Sequence, residues 1–171
     1  NKVMEFIGPG VASLPLEYRS GVDVMTTETT CLSSIWVTDE ATRQYLAVHG
    51  REGDYKPLAP AELAYYDGVV TVELDKVRPM IALPMHPSNV YTIEELNANL
   101  ADILHKCEQD CQALIGNDRV HLDLVSKIKN GRLRVDQGVI AGCAGGTYSN
   151  ICEAAQILKG HTGGCGEYAL S

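Results

Sequence analysis

A cysteine in a glycine-rich segment lies between a predicted strand and a predicted helix. The segment Gly142-Cys143-Ala144-Gly145-Gly146-Thr147 follows an apolar run and precedes a helical pattern that begins at Asn150. Glycines let the backbone approach a ligand closely, and the first turn of a helix offers unpaired N–H groups and the positive end of its dipole. Such surroundings favour the thiolate form of Cys143, the form that binds metals. On the residues alone, a tight turn with a half-buried thiol is the favoured interpretation.

Two other side chains have the chemistry of an acid or a base. Glu28 lies among hydroxyl groups in Thr26-Thr27-Glu28-Thr29-Thr30, where a carboxylate could be held in place for proton transfer. His86 follows a short apolar run, at the kind of strand end where α/β proteins bind ligands. Both residue types are more often simply exposed to solvent, and the local pattern favours that interpretation.

Cys107 and Cys111 are four residues apart on a predicted helix, with His105 just before them. A structural metal site needs about four ligands, and the usual Cys-x-x-Cys spacing is absent. The pair is therefore predicted to pack in the core as small apolar side chains.

Composition limits the classes of partner. The 171 residues include 14 Lys and Arg against 22 Asp and Glu, which gives a net charge of −8. Nucleic acids and anionic membranes both need a cationic face, so neither is expected to bind.

The sequence starts without an apolar leader. Its six cysteines are thus expected as free thiols or metal ligands in a reducing compartment, the cytoplasm. They are Cys31, Cys107, Cys111, Cys143, Cys152 and Cys165.

Apolar runs bounded by turn residues predict strands at 3–7, 34–38, 68–74, 80–83, 134–141 and 168–170. The run from Gly68 to Leu74 is the clearest of these, because it is rich in β-branched residues. Residues 122–128 fit either a strand or a helix.

Helical spacing and capping residues predict the helices. One is capped by Ser13 with Pro15 in its first turn, a second spans 22–32, a third runs from its cap Asp39 to 49, and another covers 151–158. Thr92 and Glu95 form a capping box that opens a further helix, and its pattern is compatible with a helical insertion at about 92–116. Alternation of strands and helices indicates an α/β fold with a largely parallel sheet.

Several segments together resemble the aconitase family of iron–sulfur hydro-lyases. They share their order along the chain with the family's motifs: Glu5 to Leu14, Met25-Thr26-Thr27-Glu28, Tyr45-Leu46 with Gly50-Arg51, Tyr66-Asp67 with Val72 to Pro79, and Ile140 to Tyr148. The resemblance implies a single three-layer α/β/α domain over residues 1–171, similar to the middle domain of an aconitase. The family's acid/base histidines and its Cys-x-x-Cys pair lie outside this match, so we expect the chain to be excerpted from a larger multidomain protein.

The resemblance also implies site roles. Cys143 would be one thiolate ligand of a [4Fe-4S] cluster, and Glu28 would correspond to the glutamate that serves acid/base chemistry beside it. The implied reaction is the reversible addition of water to a double bond of a small di- or tricarboxylic acid. The partners implied are that substrate and the remaining domains of the parent chain.

Departures from the family pattern leave other functions open. The family's Cys-Thr-Asn is Cys143-Ala144-Gly145 here, and Thr26-Thr27 replace small residues before Glu28. The main alternative is a non-catalytic aconitase-like protein that binds a ligand or partner. A third hypothesis is an unrelated α/β module that binds an anion at residues 142–147.

We predict that the 171-residue chain by itself assembles no stable cluster and is inactive, because one thiolate cannot replace three. Anaerobic reconstitution of the isolated chain, followed by iron and sulfide analysis, checks this. Stoichiometric iron and sulfide on the purified chain would contradict it.

Overall fold

A computed structural model describes residues 2–161 and the backbone of the strand at 168–170. The described residues form a mixed α/β structure. Its strands are β1 (Val3–Phe6), β2 (Ser33–Trp36), β3 (Met80–Ala82), β4 (Val90–Thr92), β5 (Ile128–Lys129), β6 (Arg132–Leu133), β7 (Gly138–Ile140) and β8 (Tyr168–Leu170). Its helices are α1 (Leu16–Met25), α2 (Glu40–Val48), α3 (Ile93–Ala98), α4 (Leu100–Ile115), the four-residue α5 (Gly142–Gly145) and α6 (Tyr148–Leu158). None of these helices is long and apolar enough to cross a membrane.

The strands pair two by two. β1 and β2 are parallel, in a register that places Val3 beside Ser33 and Phe6 beside Trp36. β7 and β8 are also parallel, whereas β3–β4 and β5–β6 are antiparallel. Among the described residues the sheets are therefore small and two-stranded, with the parallel pairs at the two ends of the chain.

The chain divides into two compact units. The first combines Asn1–Val72 with Gly138–Ser171, and the second comprises Glu73–Gln137. The predicted segment at 92–116 lies wholly within the second unit, and the predicted strand at 168–170 pairs within the first.

The second unit is built around α4. Its core contains six buried residues: Leu83, Leu96, Leu100, Leu104, Cys107 and Cys111. The capping box is confirmed, since Thr92 Oγ1 accepts from the Glu95 N–H and the Glu95 carboxylate accepts from the Thr92 N–H. The helical stretch is broken once, where Asn99 leaves the helical region, and it ends at Gly116 in a left-handed conformation that suits glycine.

The two thiols of α4 pack as predicted. The Sγ atoms of Cys107 and Cys111 are 3.9 Å apart, and the Cys107 thiol donates to the Pro84 carbonyl at 3.2 Å. Burial is the main cause that raises the pKa of Cys107, which disfavours the thiolate. The core-packing interpretation is confirmed.

The clearest predicted strand is wrong. Residues 68–73 form no strand, and the side chains of Val69 and Val70 are 81% and 89% exposed. The preference of β-branched residues for strands expresses packing against a neighbouring strand, and the described residues place none beside this run. The prediction for 134–141 is too long, because only Gly138–Ile140 pairs.

The helices near the start of the chain are also shifted. The two helices predicted there, one opened near Ser13 and Pro15 and one at 22–32, are a single helix, α1, which starts at Leu16 and ends at Met25. The rest of the predicted second helix contains a 3-10 turn at Thr26–Thr29 and forms no α-helix. Pro15 rather than Ser13 occupies the position before the first helical residue, and the Ser13 hydroxyl donates to the Gly10 carbonyl at 2.7 Å. The Asp39 cap is confirmed, because its side chain accepts from the Thr42 N–H.

Replacing Leu104 by Ala is expected to lower the free energy of unfolding by about 2–5 kcal/mol, because the side chain is 0% exposed and its removal leaves a cavity. Urea unfolding followed by circular dichroism measures this. The control is Leu114→Ala on the same helix, where the side chain is 72% exposed and a change below about 0.5 kcal/mol is expected. Equal losses in the two variants would contradict the assignment of the core.

Candidate functional site

Cys143 lies on the short helical turn α5, directly after β7. Gly142 has φ +81°, a conformation that favours glycine and lets the chain turn sharply from strand to helix. The turn closes with a 2.8 Å hydrogen bond from the Gly146 N–H to the Gly142 carbonyl. The Cys143 thiol is exposed. An exposed thiol on a tight turn can reach a metal that other residues share.

Helix α1 packs against this turn at Gly21. A Cβ atom at Gly21 would lie 3.3 Å from the Ala144 carbonyl oxygen, closer than most such contacts. The absence of a side chain at Gly21 therefore lets α1 and α5 pack closely against each other. The Asn150 side chain donates to the same Ala144 oxygen at 3.3 Å, so α6 is tied to the turn as well.

The first turn of α6 is bound to α1 by Glu17. The Glu17 carboxylate accepts hydrogen bonds from the Ser149 hydroxyl and from the Ser149 N–H, the latter at 3.0 Å. The hydroxyl bond is the largest cause that lowers the pKa of Glu17, the N–H bond adds to it, and burial opposes it. The helix α6 begins at Tyr148 rather than near Asn150. Its first turn, whose N–H groups were expected to suit an external anion, thus already has a carboxylate of the same chain bound at the Ser149 N–H.

Glu28 lies just beyond the other end of α1. It belongs to the 3-10 turn Thr26–Thr29, and its side chain is exposed. The threonines close the helix end, because their hydroxyls bond to the backbone: Thr26 Oγ1 donates to the Asp23 carbonyl at 2.7 Å and Thr27 Oγ1 to the Val24 carbonyl at 2.9 Å. Their position before Glu28 is thus explained by local structure.

Asp23 fixes this end of α1 to β2. Its Oδ1 accepts from Ser34 Oγ at 2.5 Å and from the Trp36 indole N–H at 2.9 Å. The Trp36 ring in turn stacks on Phe6 of β1, with ring centroids 4.2 Å apart. The segment that carries Glu28 therefore starts at the end of α1, and this helix end is fixed to the β1–β2 pair.

A buried arginine joins α1 to α2. Arg19 is 2% exposed, and its guanidinium donates from Nη2 to Asp39 at 2.6 Å and from Nε to the Leu14 carbonyl at 2.9 Å. The hydrogen bond from Arg19 is the largest cause that lowers the pKa of Asp39. Asp39 thus caps α2 and neutralises a buried cation at once.

The turn that carries Cys143 packs against α1, and the turn that carries Glu28 follows the end of the same helix. Gly21 contacts the Cys143 turn, and α1 ends at Met25, about 6 Å farther along the axis at ~1.5 Å per residue. Glu28 follows in the next turn of chain. The sequence did not identify Glu17, Gly21 or Asp23 as part of this arrangement, because their partners are distant in sequence.

The other candidates lie apart from this arrangement in the sequence, and both belong to the second unit. His86 is exposed, and its Nδ1 lies 2.8 Å from the Ser88 hydroxyl, as expected of a solvated loop histidine. Cys107 and Cys111 are buried. No group of three or more His, Cys, Asp and Glu side chains within the described part of the chain could hold a metal by itself. Cys165 lies outside the described residues.

Comparison with known proteins establishes the family. The aconitase family profile (aconitate hydratase) matches residues 1–167. The chain therefore belongs to the aconitase family, and the resemblance seen in its motifs is confirmed.

Two similar proteins are large subunits of dehydratases. The chain is 28% identical over 157 residues to the 3-isopropylmalate dehydratase large subunit of Acetivibrio thermocellus, covering 92% of this chain and 29% of that protein. It is 27% identical over 157 residues to the 2,3-dimethylmalate dehydratase large subunit of Eubacterium barkeri, with the same coverage. The chain thus spans about three-tenths of the length of these relatives.

Replacing Asp39 by Asn is expected to lower the free energy of unfolding at pH 7 by about 1–3 kcal/mol, because the buried Arg19 guanidinium loses its carboxylate. The folded pKa of Asp39 is lowered, so its contribution is complete above the ordinary value of 3.8 and is lost as the pH falls through the lowered value. Urea unfolding across this range should show the two proteins converge in acid. A matched surface change, Glu40→Gln, should leave stability nearly unchanged, and a pH-independent effect of Asp39→Asn would contradict the ion-pair assignment.

Proposed function

We propose that the chain is part of a [4Fe-4S]-dependent hydro-lyase that acts on a small di- or tricarboxylic hydroxy acid. The observation that carries the proposal is the exposed Cys143 thiol on a glycine turn that packs against α1, the helix that leads to Glu28. Family membership supports it, and the relatives named above are dehydratases. The cluster's other ligands would come from residues beyond the described ones.

The described residues would supply one of the ligands of a [4Fe-4S] cluster. Cys143 would hold one iron of the cluster, since its thiol is exposed and no side chain at Gly142 or Gly145 crowds the turn. When bound, the cluster supplies an iron that acts as a Lewis acid toward the hydroxyl and carboxylate of the substrate. The Gly142 N–H group, unlike that of Gly146, does not close the turn and is suited to donate to a cluster sulfur, an interaction that tunes such clusters.

Glu28 would act as a general acid or base, donating or accepting a proton through its carboxylate oxygens. Its exposed position suits a role at a site that is completed by other parts of the protein. Asp23 and the threonine hydroxyls of the same helix end fix the backbone on which Glu28 is carried. Elimination of water needs a base that removes a proton from carbon and an acid that protonates the leaving hydroxyl group. Glu28 would take one of these two roles.

The substrate is proposed only by class. The relatives named above are large subunits of a 3-isopropylmalate dehydratase and a 2,3-dimethylmalate dehydratase. In this chain Ala144 and Gly145 stand where the family resemblance places threonine and asparagine. Loss of two polar side chains beside the cluster ligand changes which carboxylates the site can bind, so we expect a substrate that differs from those of the relatives. The parent protein would work in the reducing cytoplasm, where thiolate ligands persist.

The same departures favour the second candidate, a non-catalytic aconitase-like protein that binds a ligand or partner. Removing hydrogen-bonding side chains from a site lowers its power to orient a substrate, while the fold around it is retained. We further propose that the parallel pairs β1–β2 and β7–β8 belong to a larger, largely parallel sheet of a three-layer α/β/α domain in the whole protein.

The test is anaerobic iron–sulfide reconstitution of the full-length protein beside its Cys143→Ser variant. Iron and sulfide content, visible absorption and EPR spectra are measured. We expect a cluster in the unmodified protein that is lost or strongly weakened in the variant. A cluster that is equally stable in Cys143→Ser would exclude Cys143 as a ligand.

The matched control is Cys152→Ser, a change to another free cysteine of the same unit. It should keep its cluster. A folded full-length protein that forms no cluster at all would contradict the hydro-lyase and favour the binding protein. Hydroxy acids are then screened for turnover only if the cluster forms.

A further inference from the structure

The first turn of α6 has no cap from its own segment. Thr147, the residue before the helix, makes no side-chain bond to it. The early N–H groups of a helix have no partner within the helix and must be satisfied from outside. Here the Ser149 N–H and hydroxyl both donate to Glu17, a residue 132 positions earlier in the chain. A carboxylate at this place also complements the positive end of the helix dipole.

One face of α1 makes both contacts. Glu17 and Gly21 are four residues apart, so they lie on the same side of the helix. Glu17 binds the start of α6, and Gly21 lies against Ala144 in the Cys143 turn. Asn150 closes the arrangement by donating to the Ala144 carbonyl. The turn and the start of α6 are thus held together on α1.

We propose that Glu17 is a positioning residue for Cys143: its carboxylate fixes the start of α6 against α1 and so sets how the Cys143 turn presents its thiolate. This inference rests on the proposed role of Cys143 as a cluster ligand. Glu17 itself bonds to Ser149 and not to any reacting group, so its action is through the backbone of residues 142–150.

Two consequences follow from removing the carboxylate. The start of α6 loses its hydrogen bonds to α1, so α6 no longer supports the turn from α1 through the Asn150 bond, while the direct packing of the turn on α1 at Gly21 remains. A turn whose support is weakened in this way opens more often, so the Cys143 thiol reacts faster with an added reagent when no cluster is bound.

The first measurement is the alkylation rate of each cysteine in the full-length apoprotein, followed by mass spectrometry of peptides. In Glu17→Ala we expect Cys143 to react at least about twofold faster, because the turn opens more often once the start of α6 is released from α1. Cys31, partly buried in the same unit, should keep its rate and serves as the internal reference. Glu17→Gln, which can still accept from the Ser149 N–H, should give a smaller change.

The matched control is Glu95→Ala in the second unit. Glu95 also accepts from the backbone N–H of a helix start, at 2.8 Å, so its loss removes a similar cap away from Cys143 in sequence. It should leave the Cys143 rate unchanged. Equal acceleration of Cys31 and Cys143 in Glu17→Ala, or no acceleration beyond that in Glu95→Ala, would show a merely structural role and overturn the inference.

The second measurement is the lifetime of the reconstituted cluster in air. Glu17→Ala should lose its cluster several-fold faster than Glu95→Ala. The two measurements separate the hypotheses: absence of a cluster in the unmodified protein defeats the proposed function, whereas the alkylation rates still test Glu17. A normal cluster with unchanged rates and lifetime in Glu17→Ala defeats the positioning role alone.

Discussion

The hydrogen bonds from Ser149 to the Glu17 carboxylate join the two ends of the chain that make up the first unit. The second unit, 73–137, separates these ends in sequence, so contacts between α1 and the α5–α6 segment must hold them together. Gly21 makes the close approach possible, and Glu17 satisfies the helix start that results. The Cys143 turn lies beside this join, in contact with α1 at Gly21 and with α6 at Asn150.

Helix α1 is therefore the element that organises the proposed site. Its polar side chains each bind a different partner: Glu17 binds α6, Arg19 binds the cap of α2, and Asp23 binds β2. A helix fixed on several sides is a rigid base from which both the Cys143 turn and the Glu28 segment can be positioned. Rigid support of this kind is what a metal ligand and an acid/base group need.

Features with local causes were predictable from the sequence. The Asp39 cap, the Thr92–Glu95 capping box and the Gly116 helix end each depend on residues within one turn, and each is confirmed. The strand at 68–74 was wrong because a β-branched run needs a neighbouring strand, which the pattern cannot supply. At the proposed site, the sequence motifs indicated the family and singled out Cys143 and Glu28. They could not reveal Glu17, because an acidic residue in a first helical turn looks like any solvated one until its distant partner is known.

We propose that the Cys143 turn, held on α1, presents a thiolate to an iron–sulfur cluster. The most direct test is a crystal structure of the anaerobically purified full-length protein, with anomalous diffraction recorded at the iron edge. We expect iron density at bonding distance from the Cys143 sulfur, with the Glu17–Ser149 hydrogen bonds in place. Iron held by other residues, with the Cys143 thiol free, would contradict it.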